Sequence, residues 1–166
     1  LTGPNHYFLA KDYLPGKFEL GGANHESCAG LLGLKPYLAW LTGVTSYSRD
    51  SVTQAWKIME TLETSLTSKF LEFLASKPSV KVIGSPQATP SRVPTIAFRH
   101  NSKSPREIAE VAMAAGIGIR AGNFYSVRLL ERMGINPNEG VARASFAHYN
   151  SMEEINRLIQ VLDPMI

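Results

Sequence analysis

Apolar residues recur every three or four positions along one long stretch in the middle of the chain, which is the period of an α-helix with one buried face. The stretch runs from about Asp50 to Ser76, and Pro78 ends it. Its apolar stripe consists of Val52, Trp56, Met59, Leu62, Leu66, Phe70 and Phe73. The pattern predicts one long helix that packs this stripe into a core.

Beyond Pro78 the apolar runs become short and rich in β-branched residues, with glycine and proline between them, which is typical of strands separated by loops. The runs predict strands over 80–83, 95–99, 117–120 and 141–145. Helices are predicted from about 105 to 115, from 127 to 133 and from 152 to 163. The first and last of these follow a serine with a glutamate three residues later, the two partners of a capping box.

The first 23 residues carry six glycines and prolines, which interrupt any helical period. They predict an irregular arm with one short strand near Tyr7 to Leu9. From residue 24 to 41 the apolar spacing predicts helix, although Gly33 and Pro36 should kink or divide it.

The order of elements from residue 46 onward predicts the fold class. One long helix is followed by two strands, a helix, a strand, a short helix, a strand and a final helix. This order suits an α+β layer, a small mixed or antiparallel sheet covered on one face by helices. At 166 residues the chain has room for one sizeable core. We therefore divide it into an arm and helix, 1–45, and an α+β domain, 46–166.

Composition and charge narrow the classes of partner. The 44% apolar and 19% charged residues are ordinary for a folded domain. The net charge of +3 comes from scattered lysines and arginines, which is weak evidence for a nucleic-acid partner. No apolar stretch approaches the length of a membrane span, so no membrane partner is predicted. The single cysteine, Cys28, excludes an internal disulfide and favours a reducing, cytoplasmic location.

Sequence motifs for nucleotide and metal chemistry are absent. The sequence contains no P-loop, no GxGxxG, no HExxH and no CxxC pair. The histidines, His6, His25, His100 and His148, are not spaced as ligands on one helix face, so we predict no metal and interpret them as surface or structural residues. Cys28 falls at a helical position, which is typical of a small buried residue rather than a nucleophile.

Three places could bind an anion. Gly21-Gly22 stands directly before a helix, where free N–H groups suit a phosphate, although an ordinary turn and N-cap is the more common interpretation of this pattern. Arg120 ends a short apolar strand, where its guanidinium either binds a carboxylate or phosphate or lies unpaired at a sheet edge. Arg143 lies within a strand, so it either lies on a solvated face or faces an anion in a cleft.

Three motifs together resemble the C-terminal part of class V aminotransferases, above all cysteine desulfurase-like proteins. They are FELGGANHE at 18–26, GIGIRAG at 116–122, and RASF at 143–146 followed by YN and EEI. The resemblance covers nearly the whole chain and implies a fold-type I enzyme. In such enzymes a large domain binds pyridoxal 5'-phosphate through a lysine Schiff base, and a small C-terminal domain closes over the substrate. Residues 1–45 then correspond to the end of the large domain, and 46–166 to the small domain.

The resemblance also implies roles for single residues. Arg143 matches the arginine that binds the carboxylate of an amino-acid substrate, while Arg120 and Asn123 match the loop at the mouth of the same cleft. Gly21 and Gly22 match a Gly-Thr pair that reaches the cofactor phosphate of the neighbouring subunit in a homodimer. Because glycine replaces the threonine, only backbone donors remain there.

Two departures from the family pattern bear on activity. Tyr125 occupies the place of the cysteine that accepts sulfur in desulfurases, and a phenol cannot carry a persulfide, so sulfur transfer by that route is not expected. None of Lys11, Lys17 and Lys35 has the histidine–lysine context of the Schiff-base lysine. We therefore assign no catalytic residue and expect the chain by itself to be inactive. Since residue 1 is not methionine, we also expect it to be part of a longer protein, whose reaction (transamination, lyase chemistry or desulfuration) stays open.

The alternative is a free-standing basic α+β module that binds nucleic acid. Its sheet could present Phe98, Phe146 and Tyr149 for base stacking. No aromatic string of the kind found in RNA-recognition motifs occurs, however, and the arginines fall where the enzyme family has them. The sequence therefore favours the pyridoxal-phosphate family.

Overall fold

Four helices precede four strands and three further helices in the described part of the chain, residues 7–18 and 21–166 of a computed structural model. In chain order they are α1 (Leu14–Phe18), α2 (His25–Leu31), α3 (Leu34–Thr42), α4 (Arg49–Ala75), β1 (Val80–Ile83), β2 (Thr95–His100), α5 (Pro105–Ala114), β3 (Arg120–Gly122), α6 (Val127–Arg132), β4 (Val141–Ser145) and α7 (Met152–Leu162). Backbone contacts divide the chain into two compact units, Leu1–Ala55 and Trp56–Ile166.

The first unit is more helical at its start than the glycines and prolines suggest. Residues 7–9 form a turn, so the strand predicted there is wrong. The five residues of α1 include Pro15 and Gly16, because proline is tolerated in the first turn of a helix, where its missing N–H has no intrahelical partner. The predicted division of the next helix is confirmed, since Gly33 separates α2 from α3. Pro36 falls in the first turn of α3 and does not break it.

The main core lies in the second unit, between one face of the sheet and the helices α4, α5 and α7. Its buried side chains are Leu66, Phe70, Leu71, Phe73, Leu74, Ile96, Phe98, Ile108, Ala112, Ile119, Ala142, Ala144, Ile155, Leu158 and Leu162. Of the predicted stripe of α4, the residues Met59, Leu66, Phe70 and Phe73 are buried, whereas Trp56 and Leu62 are exposed. Among the helices that the structure describes, none combines the length and apolar character that a membrane crossing needs.

The four strands form one antiparallel sheet in the order β1-β2-β4-β3. One face carries Phe98 and Ala142 into the main core. On the other face, Val141 packs with Leu130 and Ile135 in a small second cluster. The predicted α+β fold with a small mixed or antiparallel sheet is confirmed, and the sheet is antiparallel; α4, α5 and α7 cover one face, while α6 contributes Leu130 to the other.

Strand β3 begins later than the sequence predicts. The predicted strand was 117–120, and the observed one is Arg120–Gly122. The two isoleucines before it lie in the segment that follows α5. Ile117 donates its backbone N–H to the carbonyl oxygen of Ala112, and Ile119 is buried. Burial of these side chains, rather than strand pairing, therefore explains their apolar character.

Both predicted capping boxes are present. At α5 the Ser104 N–H donates to Glu107 Oε2 over 2.7 Å, and the Glu107 N–H donates to Ser104 Oγ over 3.2 Å. At α7 the corresponding distances for Ser151 and Glu154 are 2.9 and 3.2 Å. Accepting the serine N–H lowers the pKa of both glutamates. These boxes fix the starts of the two shorter helices that cover the sheet.

Candidate functional site

Arg143 lies in the middle of β4, on the sheet face opposite the main core. Its neighbours Ala142 and Ala144 are fully buried in that core, so strand alternation turns Arg143 to the other side. Its cross-strand partners are Ala97 on β2 and Arg120 on β3. The register therefore places two arginines side by side on one face.

The guanidinium of Arg143 stacks on an aromatic ring. Its Cζ atom lies 4.0 Å from the centre of the Phe124 ring, well within the range of a cation–π contact. Its Nε atom is buried and has no hydrogen-bond partner, and within the described residues Arg143 joins no ion pair. No described carboxylate neutralises the charge of Arg143. The guanidinium is therefore available to bind an anion.

The face around Arg143 is positively charged. Arg120 is exposed on the edge strand β3, and like charges directly opposite each other on neighbouring strands repel. Arg99, on the same face of β2, pairs with Glu139 over 2.7 Å. That pair neutralises Arg99, whereas Arg120 and Arg143 form no ion pair among the described residues; Lys81, opposite Arg99 on β1, adds a further exposed positive charge to this face.

Asn123 holds the loop that follows β3. Its Oδ1 accepts the Tyr125 N–H over 3.0 Å, and its Nδ2 donates to the Pro137 carbonyl oxygen over 3.3 Å. The amide is thus engaged at both ends within the loop. That Asn123 also lines the mouth of a substrate cleft stays a prediction.

The same loop has an unusual backbone. Phe124 and Tyr125 have φ angles of 50° and 60°, in the left-handed region that residues with a Cβ seldom adopt. Two adjacent left-handed residues turn successive side chains apart: the Phe124 ring meets Arg143, whereas the Tyr125 side chain is fully exposed. Strain of this kind is found where a loop must present a particular group.

Gly140 supports this loop, and sequence reasoning missed it. Its φ is 68°, and a Cβ at this position would collide with the backbone of Gly122 and Asn123. Only glycine lets the chain before β4 approach the end of β3 so closely. The glycine directly before the strand was the available signal, but an isolated glycine does not reveal what it contacts.

Gly21 and Gly22 belong to the first unit and lie beside an open cavity of about 450 Å³ that also borders Asn24 and Cys28. Gly21 has a φ of 91°, and a Cβ on either glycine would have no heavy atom within 4 Å. Asn24 caps α2 by accepting the Ser27 N–H over 2.8 Å. This segment offers backbone donors and space for a phosphate, but no hydroxyl at position 22, so it fits only part of the contact that the family resemblance implies.

The predictions for Cys28 and for the histidines compare differently with the structure. The cysteine is free and exposed on α2, so the expectation that it is buried is wrong. His100 accepts the Ser102 and Lys103 N–H groups at its Nδ1 over 3.1 and 3.0 Å, the structural kind of role that was predicted. His148 has its Nδ1 3.6 Å from Glu63 Oε1. His25 is exposed at the start of α2, and His6 lies outside the described residues.

Metal ligands are not grouped in the described part of the chain, where no three histidine, cysteine, aspartate or glutamate side chains could hold an ion together. Of the residues singled out from the sequence, Arg143 and Arg120 are adjacent on one face, and Asn123 follows Arg120 in the loop after β3. The structure adds Phe124 and Gly140 to this second-unit site.

A comparison with protein families matches residues 11–158 to the model described as aminotransferase class-V. The chain belongs to the class V aminotransferase family. The match includes both glycines before α2 and all of the site on β3 and β4. It gives no support to the alternative of a free-standing nucleic-acid-binding module.

Individual relatives agree with the family. The chain is 30% identical to the aminotransferase-like protein FGM3 of Gibberella zeae, over all of this chain and 39% of that protein. It is likewise 30% identical to the cysteine desulfurase-like protein ustD of Aspergillus flavus, over all of this chain and 36% of the relative. The chain therefore spans less than two fifths of the length of these two relatives.

A solved structure shows the same fold. The cysteine desulfurase CsdA of Escherichia coli superposes with a TM-score of 0.63 and 27% identity, over 90% of this chain and 32% of that one. The four-stranded antiparallel sheet and its helices thus correspond to a part of a fold-type I enzyme.

Proposed function

We propose that this chain supplies the substrate-carboxylate site of a pyridoxal-phosphate-dependent class V enzyme that acts on an amino acid. The observation that carries the proposal is that the half-buried Arg143 has no anionic partner among the described residues. Arg120 adds a second positive charge on the neighbouring strand. Arg143 binds the α-carboxylate, and Arg120 and Asn123 line the mouth of the cleft.

The geometry of a guanidinium explains why arginine suits this role. Two parallel N–H donors match the two oxygens of a carboxylate and fix its plane. Holding the carboxylate in one plane fixes the orientation of the substrate Cα, so that the bond to be broken can stand in the reactive direction. Lysine in the same place would keep the charge but lose the paired donors.

Pyridoxal 5'-phosphate, when bound, stabilises the carbanion that forms at the substrate Cα. In this chain the backbone N–H groups of Gly21 and Gly22 would contact its phosphate, since both glycines line an open cavity. We propose that this contact is made to the neighbouring subunit of a homodimer. Lys11, Lys17 and Lys35 lack the sequence context of the Schiff-base lysine, so we expect the chain by itself to be inactive.

The side chain at position 125 limits which reaction we propose. Tyr125 is fully exposed at the tip of the loop, and its phenol cannot replace a thiolate as a sulfur acceptor. Persulfide-forming desulfuration is therefore not part of the proposal, which leaves transamination or a lyase reaction. The free, exposed thiol of Cys28 fits a reducing compartment such as the cytoplasm.

Exchanging arginine for lysine at two positions of one face tests the proposal. In a longer protein that contains this chain and the lysine-bearing domain, Arg143→Lys should lower kcat/KM for amino-acid substrates by about 30-fold or more, equivalent to ~2 kcal/mol of a charged hydrogen bond. Arg99→Lys is the matched control, because Arg99 lies on the same face but pairs with Glu139. Equal kinetics for the two variants would show that Arg143 does not bind the substrate.

A further inference from the structure

Phe124 links the strained loop to Arg143. Its ring lies 4.0 Å from the Arg143 Cζ and also packs against the small cluster of Leu130, Ile135 and Val141. The ring is therefore fixed on one side by apolar side chains and offers another surface to the guanidinium. A flexible arginine side chain gains a rigid platform in this way.

The backbone of the loop is held in a conformation that serves this contact. A left-handed residue with a Cβ is unfavourable by itself and persists only when its surroundings impose it. Here Asn123 bonds to the Tyr125 N–H and to the Pro137 carbonyl oxygen, and the Ser126 N–H donates to the Asn123 carbonyl oxygen over 2.8 Å. Gly140 packs closely against the start of the loop. The loop is thus anchored on both sides of Phe124.

The stacking on Phe124 and the burial of Nε together restrict which edge of the Arg143 guanidinium can bind a ligand. An arginine can present either its Nε–Nη edge or its Nη–Nη edge to a carboxylate. The Nε atom of Arg143 is buried without a partner, whereas neither of its Nη atoms is a buried atom without a partner, and the residue is half-buried. The edge that reaches solvent is therefore the one formed by the two Nη atoms.

We propose that Phe124 is a positioning residue that holds the Arg143 guanidinium with its Nη–Nη edge toward the incoming carboxylate. The proposal rests on the function proposed above for Arg143 and adds the residue that orients it. Phe124 itself touches no substrate. The left-handed backbone of the loop is the means by which the ring reaches the guanidinium.

The orientation of Arg143 can be measured without a ligand. In the 166-residue chain with ¹³C- and ¹⁵N-labelled arginine, we expect ring-current shifts at the Arg143 side chain and slow rotation about its Cζ–Nε bond. Phe124→Leu keeps an apolar side chain for the small cluster but removes the π face, so the ring-current shifts should disappear and the rotation should become ~3- to 30-fold faster. Tyr125→Leu is the matched control, because it removes an adjacent left-handed aromatic residue that is fully exposed.

A rescue variant and a binding titration distinguish a positioning role of Phe124 from a loss of folding. Phe124→Trp restores a π face and should restore slow rotation, which a merely structural loss would not predict. Titration with L-alanine should move the Arg143 Nη resonances more than the Nε resonance, and Phe124→Leu should weaken this binding by ~3- to 30-fold. Unchanged rotation and shifts in Phe124→Leu would overturn the positioning role. Slow rotation in the wild-type chain together with equal kinetics of Arg143→Lys and Arg99→Lys in the longer protein would instead contradict the proposed function.

Discussion

Leu66 and Trp56 belong to the same apolar stripe of α4 but differ in burial. Leu66 is 5% exposed in the main core, whereas Trp56 is 61% exposed. Leu66→Ala removes buried methyl groups and leaves a cavity, so it should lower the free energy of unfolding by about 2–5 kcal/mol. Trp56→Ala should change it by only about 0.5 kcal/mol. Urea unfolding of the 166-residue chain, followed by circular dichroism, measures both, and a cost for Trp56→Ala as large as that for Leu66→Ala would contradict the exposed position.

Other single residues have contacts that the sequence pattern does not reveal. The periodicity places Trp56 on the stripe, but in the structure its neighbours Ala55 and Met59 are buried and Trp56 is not. Likewise a charged residue in mid-strand identifies Arg143 as unusual, while only the register shows that Arg120 is its neighbour. Phe124 carried no signal in the sequence, because its role depends on a backbone conformation that local propensity disfavours.

At the scale of elements, the capping boxes make the stability of α7 depend on pH. The Ser151 N–H and then the Asn150 side chain lower the pKa of Glu154 below its ordinary value of 4.5. Because the folded pKa is the lower one, the contribution to stability is complete above the ordinary value and is lost as the pH falls through the lowered one. Glu154→Gln should therefore destabilise the chain at neutral pH and have little effect in strong acid.

Thermal unfolding as a function of pH measures this dependence. Glu110→Gln serves as the control, since Glu110 is an exposed carboxylate within α5 rather than at a cap. Its difference from wild type should not follow the same pH profile. A pH-independent difference for Glu154→Gln would show that the cap does not act through its charge.

Helices and strands are predictable where a few neighbouring residues determine where they begin and end. Four residues suffice to predict each capping box, and β1 and β4 have the predicted bounds. Strand β3 was misplaced because Ile117 and Ile119 are apolar for packing rather than for pairing. The helix α1 was missed because proline in a first turn looks the same in sequence as proline in a loop.

At the scale of the whole molecule, the chain should not retain pyridoxal 5'-phosphate covalently. The glycines beside the first-unit cavity offer backbone donors, but a lysine in the Schiff-base context was not found in the sequence. After incubation with the cofactor, borohydride reduction and desalting, mass spectrometry should find no stoichiometric lysine adduct. Scattered substoichiometric labelling is the expected background, whereas full modification of one lysine would show that the chain holds a cofactor pocket of its own.

The sequence alone determined the class of fold and most of the elements, because hydrophobic period and capping residues are local properties of the chain. Its motifs also carried the resemblance to the family. It also singled out Arg143 and Arg120. Only the tertiary structure decided that these arginines are cross-strand neighbours, that Phe124 stacks on one of them and that Gly140 packs against the loop. The physical reason is that register, close backbone approach and side-chain stacking join residues far apart in sequence, and their energies exist only once the sheet has formed.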